Sequence, residues 1–463
     1  MKIAIKREQR QVVLGYAERE QFGAKLKTMK YFFMAALTLM TAACSNEDNE
    51  ISQQPQKGAG IPFTATISMG NNAATRALEE KNGNIVATWA ENEQVALIYT
   101  VGSTTYATPA TVTPQTNGTA TLSATLQSGA VDGSKVTIIY PASAVDETTK
   151  DVKANLLDGQ DGTLEGIATN YDLRKGTGKL SISSGKATVY DGTPGTLVKL
   201  TNQYAILKFA LQDIRGIISA DNFKASNFKV SGTSLNKYCS PSSATNELYI
   251  ALPDQTTLDV GAYWLNATIG GNAYVGKLKI ETATTLEKGK YYPTTVQMAT
   301  VGDVVLQSTG KFAAATTIST ADAVVVARIA YVVEPSNATA NNHGMALALA
   351  DESPLASGFG WQEAKSLILS KCTSKTAVSD ASWILPTKAQ WGNMVGVNGA
   401  GSFAALRTLG LFSGDYYWTS TNYTEEGQTE TDADPWWIVD FFQNKWGHNN
   451  VYSDVSIRLG LAF

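Results

Sequence analysis

The residues able to do chemistry are few in this 463-residue chain. Two histidines, His343 and His448, and three cysteines, Cys44, Cys239 and Cys372, are all it has of either type. That count excludes a Cys/His zinc site or a His-rich metal cluster. No G-x-x-x-x-G-K-[ST] loop and no H-E-x-x-H pair occurs, so nucleotide hydrolysis and zincin chemistry have no foothold. His343 lies in Asn341-Asn342-His343-Gly344 and His448 in Gly447-His448-Asn449-Asn450, both read as loops. Nothing in sequence orients either one, so no Ser–His–Asp set can be argued. A net charge of −4 and a pI near 5.5 argue against nucleic acid as a partner. The expectation is a non-enzyme without cofactor or metal.

The elements that carry the remaining signals begin at the N-terminus. Lys25, Lys27 and Lys30 precede and open an apolar run from Tyr31 to Leu39, and Thr41-Ala42-Ala43-Cys44 closes it with small residues. This reads as a secretory signal, too short to span a membrane as a mature helix. The cysteine at the cut resembles a bacterial lipobox, with Thr41 where Leu is commonest. Cys44 would then carry the lipid anchor at the outer membrane; the alternative is an ordinary signal with a coincidental cysteine. Residues 1–28 read as neither signal nor fold, with Met29 an alternative start. The acidic run Ser45-Asn46-Glu47-Asp48-Asn49-Glu50 is either a solvated tether or similar to a surface-export signal. Losing residues 1–43 leaves 29 Lys/Arg against 38 Asp/Glu, about −9. A surface that acidic disfavours binding to anionic lipid or nucleic acid, so the lipid itself would hold the membrane.

From Ile61 to Met298, short apolar runs alternate with Gly, Asn, Asp and Pro, the pattern of β-sandwiches. Ile61, Phe63, Ala65 and Ile67 fall on one face of a strand. Val95–Tyr99 is denser and more buried, Ala120–Leu126 half-exposed, and Val136–Tyr140 ends at Pro141. A second block begins at Leu197-Val198-Lys199-Leu200, runs through Ala205–Leu211 and closes at Glu287–Pro293. The Gly-rich stretch Asp158–Gly178 reads as the join. No long 3.6-residue apolar period occurs, so helices are minor here.

Ile61-Pro62-Phe63-Thr64-Ala65-Thr66, Thr75-Arg76-Ala77, Ala87-Thr88-Trp89 and Val95–Tyr99, followed by Tyr204–Phe209 and Gly289-Lys290-Tyr291-Tyr292, together resemble the fimbrillin-like lipoproteins of type V pili. The resemblance covers about 240 residues, and the order and spacing of the phrases carry it. It implies two transthyretin-like β-sandwiches and assembly rather than catalysis. In that family an Arg-specific protease frees an N-terminal strand, and a strand from the next subunit fills the groove by β-strand addition. Arg76 and Ala77 match the cut, after the small polar stretch Asn71–Thr75. The plain alternative is that Arg76 is an ordinary surface residue of an uncleaved subunit.

Seven of the nine tryptophans follow residue 300: Trp361, Trp383, Trp391, Trp418, Trp436, Trp437 and Trp446. Ala323–Ala327, Ile329–Val333 and Gly344–Leu349 read as strands. Trp361–Leu369 reads as an amphipathic helix with Trp361, Ala364, Ile368 and Cys372 inward. A second helix starts at Lys388 behind an N-cap at Thr387 and runs towards Met394. Trp383–Thr387, Trp391, Tyr417–Thr421, Trp437–Phe441 and Val455–Leu459, in that order, resemble surface-protein domains related to C-type-lectin-like and formylglycine-generating-enzyme folds. The resemblance makes Trp383, Trp391, Trp418 and Trp437 packing residues. The enzymes of that superfamily use redox-active cysteine pairs, and Cys372 is alone in its domain. Glu334-Pro335-Ser336-Asn337 only approximates a lectin calcium triplet and comes too early. The acidic loop Glu425–Asp434 supplies carboxylates without a recognisable cation spacing.

These readings give a mainly β chain. Residues 1–43 are the signal region, 44–60 a tether, 61–185 and 186–300 two fimbrillin-like sandwiches, and 301–463 an α+β lectin-like domain. The expected function is a cell-surface pilus subunit at the tip or in an accessory position, with other pilus subunits as partners. The alternative is a surface-anchored lipoprotein that binds glycan or host protein without polymerising. Trp436, adjacent to Trp437 and therefore facing the other side of a strand, is a candidate ligand contact with Trp446, His448 and Asn449.

Overall fold

The computed structural model describes residues 58–463, except 59, 70–78, 82–83, 87–88, 116–117, 308, 316–324, 353–360, 376, 397–401, 413–414, 423–435 and 450–454. The described part is mainly β. Its first sheet comprises β1 (Ile61–Ser68), β4 (Gln94–Val101), β5 (Thr104–Pro114), β6 (Thr119–Leu126), β7 (Lys135–Tyr140), β8 (Arg174–Ser183), β9 (Lys186–Tyr190), β10 (Val198–Lys199) and β11 (Thr201–Asn202). A small hairpin of β2 (Glu79–Lys81) and β3 (Asn84–Val86) stands apart from it. The order is β10-β1-β6-β5-β4-β7-β8-β11, and β9 joins β8 to β1, so the pairing closes on itself. Alternation drives the folding: Phe63, Ala65 and Ile67 of β1 enter the same core as Leu97, Leu122, Ile138 and Leu180.

The sequence reading is corrected at the boundary. Residues 185 and 186 lie in and beside the β8–β9 hairpin turn, where Ser184 (φ 49°) and Gly185 (φ 72°) take the left-handed conformations of a tight two-residue turn. Val198 and Lys199 pair in parallel with β1, so Leu197–Leu200 completes the first sheet instead of opening the second. The stretch 158–178 is not a linker either. Gln160 donates from Nε2 to the Ala251 carbonyl (2.8 Å) and accepts from the Ala251 N–H (2.7 Å), and Gly162 O accepts from Tyr249 N–H (2.8 Å). This loop therefore covers an edge of the second sheet that would otherwise be unpaired. A side chain at Gly162 would meet Phe228 at 2.5 Å, which explains the glycine there.

The second sheet runs in the order β14-β13-β17-β18-β20-β12-β15. Its strands are β12 (Tyr204–Asp213), β13 (Ala225–Ser231), β14 (Asn236–Cys239), β15 (Glu247–Pro253), β17 (Gly261–Ile269), β18 (Asn272–Ile280) and β20 (Tyr291–Ala299). A short β16 (Thr257–Leu258) pairs with β19 (Thr284–Thr285) beside it. β12 and β20 pair in parallel over eight residues; the other pairs are antiparallel.

In the last third, β21 (Val304–Leu306), β22 (Phe312–Ala313), β23 (Val325–Val332), β24 (Gly344–Ala348), β25 (Ser382–Ile384) and β29 (Gly460–Ala462) form one sheet. β26 (Tyr416–Asn422), β27 (Trp436–Asp440) and β28 (Lys445–Asn449) form another. Three α-helices accompany them: α1 (Trp361–Ser374), α2 (Lys388–Val395) and α3 (Phe403–Thr408). Thr387 caps α2 as expected, with Gln390 completing a capping box. Ile368 of α1 is buried, whereas Cys372 is only half-buried. Trp391 and Trp418 are buried, the Trp391 Nε1–H donating to the Trp418 carbonyl (3.3 Å). Trp383 is half-buried, with Lys375 over its ring at 5.1 Å.

The second sheet and the last third share a core. Trp264 of β17 stacks on His343 (5.2 Å) and on Phe463 (5.5 Å). His343 is buried, its Nδ1 2.8 Å from Asn266 Oδ1, while Asn266 Nδ2 donates to the carbonyls of Val333 (2.8 Å) and His343 (3.0 Å). Glu334, read above against a lectin triplet, instead accepts from Thr268 Oγ1 (2.7 Å) across this junction. Burial depresses the His343 pKa to about 4, because a buried imidazolium loses its hydration. With the unfolded pKa at about 6.5, the unfolded chain takes up this proton first as the pH falls. The stability held at His343 is therefore complete above pH 6.5 and declines towards pH 4. Urea unfolding should show the gap between the unaltered protein and His343→Gln narrowing by about 2 kcal/mol across that window. A gap independent of pH would contradict a buried neutral imidazole.

Candidate functional site

β1 is laddered along its whole length on one side only. Along its whole length it pairs antiparallel with β6, from Ile61↔Leu126 to Ser68↔Thr119. Among the described residues its other edge pairs with Ala187, through Phe63, and with Val198 and Lys199, through Ile67 and Ser68. The strand is fastened at its exit, where the Leu200 N–H donates to the Ser68 carbonyl (2.8 Å). Phe63, Ala65, Ile67 and the following Met69 are at most 3% exposed, so the slot is a row of four side-chain sites at alternate positions. Gly60 lets the chain enter: a Cβ there would lie 2.4 Å from Thr125 Cγ2. Beyond Met69 the chain enters residues 70–78. Arg76 and Ala77 therefore lie outside the described residues, as does Cys44.

The proposed ligand contacts fall on the three-stranded sheet. Trp436 pairs with Asn449 and Trp437 with His448; the side chains of Trp436, His448 and Asn449 are outside the described part. Trp446 is half-buried and meets Trp437 edge to face at 6.4 Å. Trp437, expected in the core, is half-buried too, and Lys388 Nζ sits 3.1 Å above its ring. Two-fold alternation could not sort core from surface here because both faces of β27 are covered. Ile438 packs into one hydrophobic cluster and Val439 into another. Sequence reasoning missed Lys388, which occupies one face of Trp437 as a cation–π partner. The loop 425–434 lies outside the described residues.

The two described cysteines are free thiols. Burial, reinforced by Asp161, pushes the Cys239 thiol up to about 12, and burial also raises Cys372. A thiol held protonated is a poor nucleophile. Iodoacetamide should leave Cys239 unmodified in the native protein at pH 8 and label it only on unfolding, whereas half-buried Cys372 reacts slowly. Mass spectrometry of the labelled peptides checks this; rapid native labelling of Cys239 would contradict it. Among the described residues no helix is long and apolar enough to cross a membrane.

No protein-family model matches the chain, and no curated protein matches it. Among solved structures it is similar to a fimbrial protein from Bacteroides ovatus, 14% identical, over 88% of this chain and 100% of that one, at a TM-score of 0.26. A protein from Bacteroides uniformis described as a cell adhesion protein is 12% identical, over 53% of this chain and 98% of that one, at 0.30. Another so described, from Bacteroides ovatus, is 13% identical over 52% and 96%, at 0.31. Similarity this distant fixes neither function nor site.

Proposed function

We propose that the chain is a cell-surface fimbrial subunit completed by β-strand addition, made as an outer-membrane lipoprotein acylated at Cys44. The observation that carries this is the β1 slot: one strand, paired fully on a single side, fills an apolar groove and leads directly into the segment containing Arg76. Cleavage after Arg76 leaves β1 attached by non-covalent contacts only. A strand from a neighbouring subunit with apolar residues at alternate positions then replaces it, restoring the ladder to β6.

A stalk position would require a strand to donate as well. The segment 455–463 is built into the last third, with β29 between β24 and β25 and Leu459 and Leu461 fully buried, so donating it would disrupt that core. The burial of this segment supports a tip position, with the last third outward, as part of the proposed reading. Gold-labelled antibody against the last third is the test: the reading expects label at filament ends. Label along the whole length contradicts the tip position, and absence from filaments contradicts the fimbrial role. A non-polymerising surface protein that binds glycan or host protein is the second reading, favoured by the half-exposed Trp437–Trp446 pair.

A further inference from the structure

At the exit end of β1 a cavity of about 300 Å³ opens between the first and second sheets. Met69 lines it, and so do Arg174 of β8, Lys199 of β10, and Lys288 and Lys290 from the turn before β20. Four cationic residues thus border one small volume. Lys199 is the register partner of Ser68, so one of them stands beside the last residue of the strand. The turn is fixed, with the Gly289 N–H donating to the Tyr204 carbonyl (2.7 Å) and the Ile206 N–H to the Lys290 carbonyl (3.0 Å).

Two carboxylates adjoin the cluster. Asp172 holds Arg174 Nε (3.1 Å) and accepts from Asn202 Nδ2 (3.3 Å), and Asp254 accepts from the Lys288 N–H (2.9 Å). They offset part of the charge and leave a net positive site. Arg174 is only 4% exposed, yet its two terminal nitrogens make no hydrogen bond among the described residues. Those nitrogens are not among the described buried polar atoms that lack a partner, so they open to solvent at the cavity, where a carboxylate fits the fork in bidentate fashion.

We propose that this cavity is an anion site that binds the carboxylate at the trailing end of the strand filling the β1 slot. The inference rests on the strand-addition reading above. A replacement strand that keeps the antiparallel ladder with β6 runs as β1 does, so its C-terminal side emerges at Lys199 and Met69. An α-carboxylate or an acidic side chain one residue beyond the slot enters the cavity and receives the guanidinium. The site would therefore recognise the direction and length of the incoming strand, while the apolar slot recognises its alternation.

The test uses full-length mature protein cleaved at Arg76 and synthetic peptides of sequence Ile61–Met69, one with a free C-terminal carboxylate and one amidated. Displacement of the native N-terminal fragment is followed for both. The acid should displace it at about tenfold lower concentration than the amide, the effect of one charge-assisted pair. High salt should shrink that ratio, and the Lys199→Glu/Lys288→Glu/Lys290→Glu variant, altered only at exposed positions, should abolish or invert it. Equal potency of acid and amide on the unaltered protein overturns the anion site and leaves strand addition standing. Failure of both peptides to displace the fragment overturns strand addition and this site with it.

Discussion

Cleaving the chain after Arg76 is expected to leave the N-terminal fragment bound to the rest of the protein. Vacating the slot would expose the sites of Phe63, Ile67 and Met69, three large side chains each worth about 1.5–3 kcal/mol on burial. Together they hold the fragment by about 5–9 kcal/mol before the eight-residue ladder with β6 is counted. At about 1.4 kcal/mol per factor of ten, that burial alone corresponds to a dissociation constant between about 0.2 mM and about 0.3 μM, which the ladder then tightens. On the strand-addition reading, the cut would prime the chain without opening the groove. Size-exclusion chromatography of the nicked protein should show fragment and body eluting together in buffer and separating in urea or with a competing strand. Spontaneous loss of the fragment in buffer would contradict this.

Deleting residues 455–463 is expected to unfold the last third. Val455, Ile457, Leu459, Leu461 and Phe463 are all at most 5% exposed, and β29 joins β24 to β25. Five such side chains amount to about 8–15 kcal/mol, comparable with the whole stability of a domain. The segment also carries Arg458, whose Nε pairs with Asp351 Oδ1 (2.7 Å) and whose Nη1 donates to the Ala348 carbonyl (2.7 Å), with Nη2 reaching Leu411 O. Arg458→Ala alone, by taking the cation from Asp351, which keeps the Tyr417 hydroxyl, and a donor from two carbonyls, should cost about 3–5 kcal/mol. Near-ultraviolet circular dichroism and limited proteolysis read out both variants. A deletion that leaves the last third folded but prevents filament growth would make 455–463 a donor strand and the protein a stalk subunit.

Period-two alternation made the first sheet legible in sequence. Phe63, Ala65 and Ile67 point inward as read, and the compact Val95–Tyr99 and Val136–Tyr140 runs are central strands. Thr387 and its helix were equally plain, because a capping box is a local signal. The boundary at 185 failed because β10 and β11 are two-residue strands whose membership depends on partners more than 130 residues earlier, in β1, or across in β8. No window along the chain contains that information. His343 was unreadable for the same reason, since its partner Asn266 is supplied by another sheet. The cationic cavity draws on residues from 69 to 290, far beyond any motif. Trp437 was misread because both faces of its strand are covered, which removes the contrast that alternation relies on.

The most direct measurement is the N-terminus of molecules extracted from filaments, read by mass spectrometry of the intact subunit. Strand addition primed by cleavage predicts a chain beginning at Ala77, with the fragment ending at Arg76 absent from the assembled form. Filament-incorporated molecules that all retain an acylated Cys44 would contradict it, since β1 would still occupy its own slot and no neighbour's strand could enter.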